Sequence, residues 1–146
     1  MREKIIHKAS ELFLTLGFKS VTMDDIASEM GISKKTIYVH FSNKTKLVEA
    51  VTFNLFDVIC DGIDGICDNA PNPIEELYSI KMFVMQHLKN EKASPQYQLK
   101  KYYPLIHNEL KLKQIVFNAR HSCEIHSRYK FYVNCISKNP SVNTMF

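Results

Sequence analysis

Ala27, Gly31 and Ile37 stand at offsets that few folded backbones satisfy together. A small residue, then a glycine, then a branched apolar residue is what two short helices need when they cross closely, reverse tightly and share a core. The flanks agree with that demand. Thr22 can cap a helix over Met23–Met30 with Asp25 at the third position, a weaker relative of the capping box, and Ser33 can cap a second helix over Lys34–His40. Any one of these matches is weak alone. All three in register between two cappable helices predict a helix-turn-helix from about Thr22 to Phe41.

The rest of the chain keeps the helical period. Ile5, Ala9, Leu12, Phe13 and Leu16 form the stripe of an amphipathic first helix over about Arg2 to Leu16, and Gly17 can adopt the left-handed conformation that closes it. FKSV, residues 18–21, reads as a short extended link. Ser42 or Asn43 can cap a long fourth helix, carried by Leu47, Val51, Leu55, Val58, Ile59, Ile63 and Ile66 to about Cys67 and stopped by Asn69-Ala-Pro-Asn-Pro73. Leu77, Tyr78, Lys81, Val84, Met85 and Leu88 continue as a helix to about Asn90, with Pro73 at its first turn. Ser94-Pro95 opens another, which Pro104 must end or kink. A pattern from Leu105 to about Ser137 fits one bent helix or two, and the tail KNPSVNTMF has no period and should fray. Four glycines and five prolines are too few to punctuate a strand-and-turn fold. The fold class is therefore all-α: a three-helix head, residues 1–46, joined by a long fourth helix to a helical body, residues 47–146.

Charge distribution says more than the formal total of +4. Ser33 to Lys46 holds Lys34, Lys35, Lys44 and Lys46 and no acid. Leu47 to Ile80 holds seven acids and no Lys or Arg, and Lys81 to Phe146 carries eleven bases against three acids. A short basic face near the amino end suits an anionic partner, whereas the acidic middle would be repelled by phosphate. The scattered carboxy-terminal bases read as a solvated helix face. The amino terminus lacks the apolar run and cleavage site of a signal peptide, and no apolar stretch approaches the ~20 residues needed to cross a bilayer, so a cytoplasmic protein with no membrane partner is expected. Cys60, Cys67, Cys123 and Cys135 form no CxxC pair and read as reduced core thiols.

The head resembles the TetR family of bacterial transcriptional regulators. The resemblance rests on Gly17-Phe18, Thr22-Met23-Asp24-Asp25-Ile26-Ala27, Gly31-Ile32-Ser33, Thr36-Ile37-Tyr38, His40-Phe41 and Lys44 with Leu47, and it covers about the first third of the chain. It implies that double-stranded DNA is the partner. Thr22, Tyr38, His40 and Lys44 would then meet phosphates, and Ser33, Lys34, Lys35 and Thr36 would face base edges or the nearby backbone. Lys35 stands where many relatives carry glycine, which adds a charge at the groove. Lys44 at a helix amino terminus suits an anion on physical grounds as well. Phe18, Ile37 and Phe41 are assigned to packing.

For the body, the resemblance implies an all-helical unit that binds a small apolar or amphipathic effector and forms a homodimer. Phe53, Phe56, Met82, Phe83, Met85, Tyr102, Tyr103 and Phe117 are candidate pocket-liners, against the plainer reading that such residues at helical spacing are core. Family members usually run longer and end in two dimerising helices, so either a reduced body or a missing or altered carboxy end is expected. His107, His121, Cys123, Glu124 and His126 hint at a metal sensor but make no complete ligand set, and neither a metal nor a cofactor is assigned. No nucleophile motif or phosphate-cradling loop supports an enzyme, and no catalytic residue is named. The expected function is a DNA-binding regulator, a ligand-responsive repressor acting as a dimer on a palindromic operator. The alternative is a protein-interaction module that keeps the helix-turn-helix fold without sequence-specific DNA binding.

Overall fold

α1, Arg2–Leu16, forms because its apolar residues recur on one side, and Ile5, Ile6, Ala9 and Phe13 are the four it buries. Leu12 is half-buried and Leu16 is exposed, so the inward stripe is rotated towards Ile6 from the one the spacing suggests. The computed structural model describes residues 1–69, 72–87 and 95–137, with the side chains of 73, 87 and 122–137 left aside. Among these residues there are seven α-helices and no strand.

Gly17 ends α1 with φ +91° and ψ 150°, a positive φ but not the left-handed helical conformation expected for it. The chain bends back there, and Val21 N–H donates to the Gly17 carbonyl at 3.4 Å. Residues 18–20 thus form a turn where an extended link was expected, and Phe18 and Val21 turn into the core. α2, Met23–Met30, opens on a complete capping box: Thr22 Oγ1 accepts from Asp25 N–H at 3.2 Å, and Asp25 Oδ2 accepts from Thr22 N–H at 2.8 Å. Gly31 closes α2 in the left-handed conformation, φ 63° and ψ 31°, and Ile32 N–H returns to the Ala27 carbonyl at 3.0 Å.

α3, Lys34–His40, is capped by Ser33, whose Oγ accepts from Thr36 N–H at 3.1 Å. For α4, Lys44–Asn69, the side-chain cap is Asn43, whose Oδ1 accepts from Lys46 N–H at 2.9 Å. α5, Pro73–His87, starts under Asn72, whose Oδ1 takes the N–H groups of Ile74 and Glu75 at 3.1 and 3.0 Å. Pro73 takes the first helical position, as the sequence predicts, and Asn72 beside it supplies the hydrogen bonds. The expected end of this helix near Asn90 lies outside the described residues.

α6, Pro95–Tyr102, and α7, Pro104–Ser137, meet at Tyr103, and Pro104 separates them because its ring cannot continue the preceding helix. The Leu105-to-Ser137 pattern is one helix. Leu99, Ile106 and Leu110 from α6 and α7 join the same buried cluster as Phe13, Ile26, Ile37 and Leu47, so head and body share one continuous core. Farther along, Phe117 of α7 stands edge-on to Phe56 of α4 at 6.1 Å. Cys60 is a half-buried free thiol and Cys67 is buried, while the side chains of Cys123 and Cys135 lie outside the described set. The frayed tail expected after Ser137 lies outside it too.

Candidate nucleic-acid interface

Helix α3 is seven residues long and spends one of them on anchorage. Ile37 is 0% exposed in the shared core, and burying an isoleucine contributes roughly 1.5–3 kcal/mol. With Ile37 fixed inward, Ser33, Lys34, Lys35, Tyr38, Val39 and His40 are left exposed and Thr36 half-buried. Tyr38 at 43% exposure is not a core tyrosine. The short helix therefore presents hydroxyl, ammonium, phenol and imidazole groups on one outward surface, the functional groups that meet phosphates and base edges.

Two of the lysines are held by groups the sequence did not point to. Lys34 Nζ donates to Asp24 Oδ2 of α2 at 2.6 Å, and that hydrogen bond raises its pKa above the usual lysine value. Lys44, the first residue of α4, donates from Nζ to the Lys19 carbonyl in the α1–α2 turn at 3.2 Å. Partial burial lowers the Lys44 pKa, and Asp25 works in the opposite direction. The Thr22 hydroxyl is engaged by Asp25 in both roles, donating to Oδ2 at 2.8 Å and accepting from the backbone. The Thr22 backbone N–H, and then its hydroxyl, both donating to Oδ2, hold the Asp25 carboxyl below the ordinary carboxylate range. Ser33 Oγ and Thr36 Oγ1 lie 2.8 Å apart. All eight expected DNA-facing residues thus lie along α2, α3 and the start of α4, with Thr22 and Lys44 at two helix starts.

The turn that receives Lys44 is also tied to the body. Phe18 N–H donates to Gln98 Oε1 of α6 at 2.8 Å, and Lys19 Nζ lies 5.2 Å from the Tyr102 ring centre. Nothing local in the sequence announces a contact spanning eighty residues.

Between α1, α4, α5, α6 and α7 lies a cavity of about 500 Å³. Of the expected pocket-liners, Phe56 and Phe117 form part of its wall. The other six lie elsewhere. Phe83 packs where a Cβ on Gly62 would collide with its ring, Phe53 carries Lys113 at 4.8 Å, and Tyr103 stands edge-on to Phe18 at 6.4 Å. Met82 and Met85 are exposed on α5, and Tyr102 lies beneath Lys19 and Lys101. Phe13, Phe18, Val51, Leu55 and Leu99 line the cavity as well, and of these Phe13, Val51 and Leu55 are positions that periodicity marks only as helical stripe. His121 is engaged at both ring nitrogens, with Asp64 Oδ1 at 2.8 Å and the Phe117 carbonyl at 3.1 Å. No group of three or more His, Cys, Asp or Glu among the described residues could hold a metal ion. The side chains of Cys123, Glu124 and His126 are outside them.

Residues 5–51 match the sequence profile of the bacterial regulatory proteins of the tetR family. The head is a TetR-family domain. Over 92 residues the chain is 29% identical to the HTH-type transcriptional repressor KstR2 of Mycolicibacterium smegmatis, an alignment covering 63% of this chain and 45% of that one. It is 37% identical over 62 residues to the HTH-type transcriptional activator FasR of the same species, covering 42% of this chain and 28% of FasR. The chain thus spans less than half the length of these relatives. In fold it is similar to the ketosteroid transcriptional regulator KstR2 of Mycobacterium tuberculosis, with a TM-score of 0.62 at 18% identity over 87% of this chain and 66% of that one. The TetR-family head coincides with α1 to α3 and the first turns of α4, the part that carries the exposed α3 surface.

Proposed function

We propose that the chain is a DNA-binding transcriptional regulator, a repressor that binds a palindromic operator as a homodimer and responds to a small molecule held in its body. The observation that carries this reading is α3, anchored by Ile37 and offering Ser33, Lys34, Lys35, Thr36, Tyr38 and His40 outward within a TetR-family head. Each α3 would enter a major groove. Thr22, Tyr38, His40 and Lys44 would fix its register on phosphates, and the residues at its start would read base edges. Residues 1–46 would serve as the DNA-binding unit and 47–146 as the regulatory unit. Exposed apolar side chains on α5 and α7, among them Leu77, Leu112, Ile115 and Val116, support association with a second copy. No helix among the described residues is long and apolar enough to cross a membrane, which is compatible with action in the cytoplasm.

The cavity gives the response a route. Its wall includes Phe18 of the α1–α2 turn and Pro95, Gln96 and Leu99 of α6, the helix whose Gln98 holds that turn. A ligand that shifts α6 or α4 changes the setting of the head, and DNA affinity then falls by the difference in ligand affinity between the two settings.

Duplex binding measured against salt concentration tests the phosphate assignments. Log K should fall linearly with log salt, and Lys44→Ala should reduce the slope by about 0.9. An unchanged slope refutes the role given to Lys44, and random-oligonucleotide selection without a preferred sequence refutes sequence-specific binding.

A further inference from the structure

The cavity holds a chemical signature that limits what can occupy it. Among the described residues of its wall there is no Asp, Glu, Lys, Arg or His, and the polar members, Ser10, Thr52, Cys60, Gln96, Gln114 and Asn118, are all uncharged. Burial, with Asp57, Asp64 and Asp61 nearby, pushes the Cys60 thiol up to about 11, so it stays neutral too. An ionised ligand would lose its hydration there and find no charged side chain in the described wall to pair with; the three aspartates stand outside the wall, where they repel a carboxylate and offer an ammonium ion no direct partner. The volume of about 500 Å³ lies within the ~300–1,000 Å³ range of small-molecule sites.

Thr52 adds a second, independent feature. It is 5% exposed, it belongs to the wall, and its Oγ1 has no hydrogen-bond partner. A buried hydroxyl left unpaired costs stability, and a ligand that supplies the missing partner recovers it. One staggered step about χ1 carries the Oγ1 of a threonine to the place held by its methyl group or by Hβ, so the hydroxyl can be turned towards an occupant.

We infer that the cavity binds an uncharged, predominantly apolar small molecule carrying a hydroxyl or carbonyl group that pairs with Thr52, and that it excludes carboxylates and ammonium ions of the same skeleton. The inference rests on the ligand-responsive reading above and narrows it to a chemical class. Aliphatic alcohols, ketones and neutral polycyclic alcohols belong to the class; free fatty acids and alkylamines do not.

The test uses the full chain and the neutral fluorophore N-phenyl-1-naphthylamine, with 1-octanol, octanoate and octylammonium as competitors at neutral pH. The chain contains no tryptophan to interfere. The fluorophore should bind, Ile59→Trp should abolish its binding by filling the wall, and 1-octanol should displace it at least about tenfold more effectively than either ion. Thr52→Val keeps the shape and removes the hydroxyl. It should weaken 1-octanol about five- to tenfold while leaving the fluorophore's affinity unchanged, with circular dichroism confirming the fold. Equal competition by octanoate or octylammonium overturns the inference, as does an octanol affinity insensitive to Thr52→Val, or fluorophore binding that survives Ile59→Trp. These measurements are made without DNA. A separate measurement of duplex affinity with and without octanol reports on regulation, so loss of the regulatory reading leaves the ligand class standing.

Discussion

Gly17→Ala is the substitution that most directly probes how the head is held to the body. At φ +91° and ψ 150°, Gly17 occupies a region that is nearly exclusive to glycine, where an L side chain costs about 1–3 kcal/mol. A Cβ there would also lie 2.8 Å from Gln98 Oε1 and 3.0 Å from its Nε2. The amide must then withdraw, and the hydrogen bond from Phe18 N–H goes with it, a further ~0.5–1.5 kcal/mol. The sum, about 1.5–4.5 kcal/mol, is a large share of the ~5–15 kcal/mol that stabilises a typical domain. Gly31→Ala provides the control: its left-handed backbone is strained for alanine by about 1–2 kcal/mol, but nothing lies within 4 Å of the added Cβ. Urea unfolding followed by far-UV circular dichroism gives both values. In a double-mutant cycle, Gln98→Ala should recover part of the Gly17→Ala cost, since the collision is with that side chain. Equal costs at the two glycines, or strict additivity with Gln98→Ala, would refute the role given to Gln98 in holding the α1–α2 turn.

Ile37→Ala should destabilise the chain by about 2–5 kcal/mol, because the residue is wholly buried and a cavity replaces it, and DNA binding should be lost in step with folding; equilibrium unfolding and a duplex-binding titration on the same preparations check this. Cys60, with its thiol near 11, should alkylate with iodoacetamide about tenfold more slowly than an exposed peptide thiol at mildly alkaline pH, the lower thiolate fraction being partly offset by higher nucleophilicity; peptide mass mapping reads the rate site by site. Asp25 has a folded pKa below its unfolded value, so its contribution to stability is present above the ordinary carboxylate range and is lost as pH falls through the folded value. Acid should therefore loosen the start of α2 in the parent chain, and Asp25→Asn should flatten that dependence in amide exchange.

The head was legible because its structure is local. Thr22 with Asp25, Ser33 with Thr36, and Gly31 after Ala27 each act within five residues, and the structure realises all three. The exposed face of α3 follows once Ile37 is placed. What the sequence could not show is long-range. Gln98 reaches Phe18, and His121 reaches Asp64, across separations that no periodicity encodes. The cavity wall shows the same limit: Val51 and Leu55 are helical-stripe positions by pattern, and only the packing of five helices leaves space beside them. Phe53, Tyr102 and Tyr103 resemble pocket residues by type, yet they serve cation–π and edge-to-face contacts. Residues 18–20 form a turn and not an extended link because Gln98, eighty residues away, holds the Phe18 N–H, a contact that no local signal encodes.

Asp24 complicates the simple picture of a basic reading head. Its pair with Lys34 is short, but the two side chains are 64% and 49% exposed, and such a pair contributes only about 0–1 kcal/mol. Exchange of that partner for a guanine edge, worth ~1–3 kcal/mol of discrimination when well placed, is therefore favourable. Exchange for an arbitrary phosphate offers less, and it leaves the Asp24 carboxylate facing the DNA backbone. The pair should thus suppress binding to random duplex more than binding to a matched site. Asp24→Asn removes the negative charge and keeps an acceptor for Lys34. It should raise affinity for random duplex several-fold, raise affinity for a selected site less, and so lower the ratio of the two at fixed salt. Equal gains for both duplexes would mean that Asp24 acts only through its charge at a distance, and that Lys34 does not exchange partners when DNA binds.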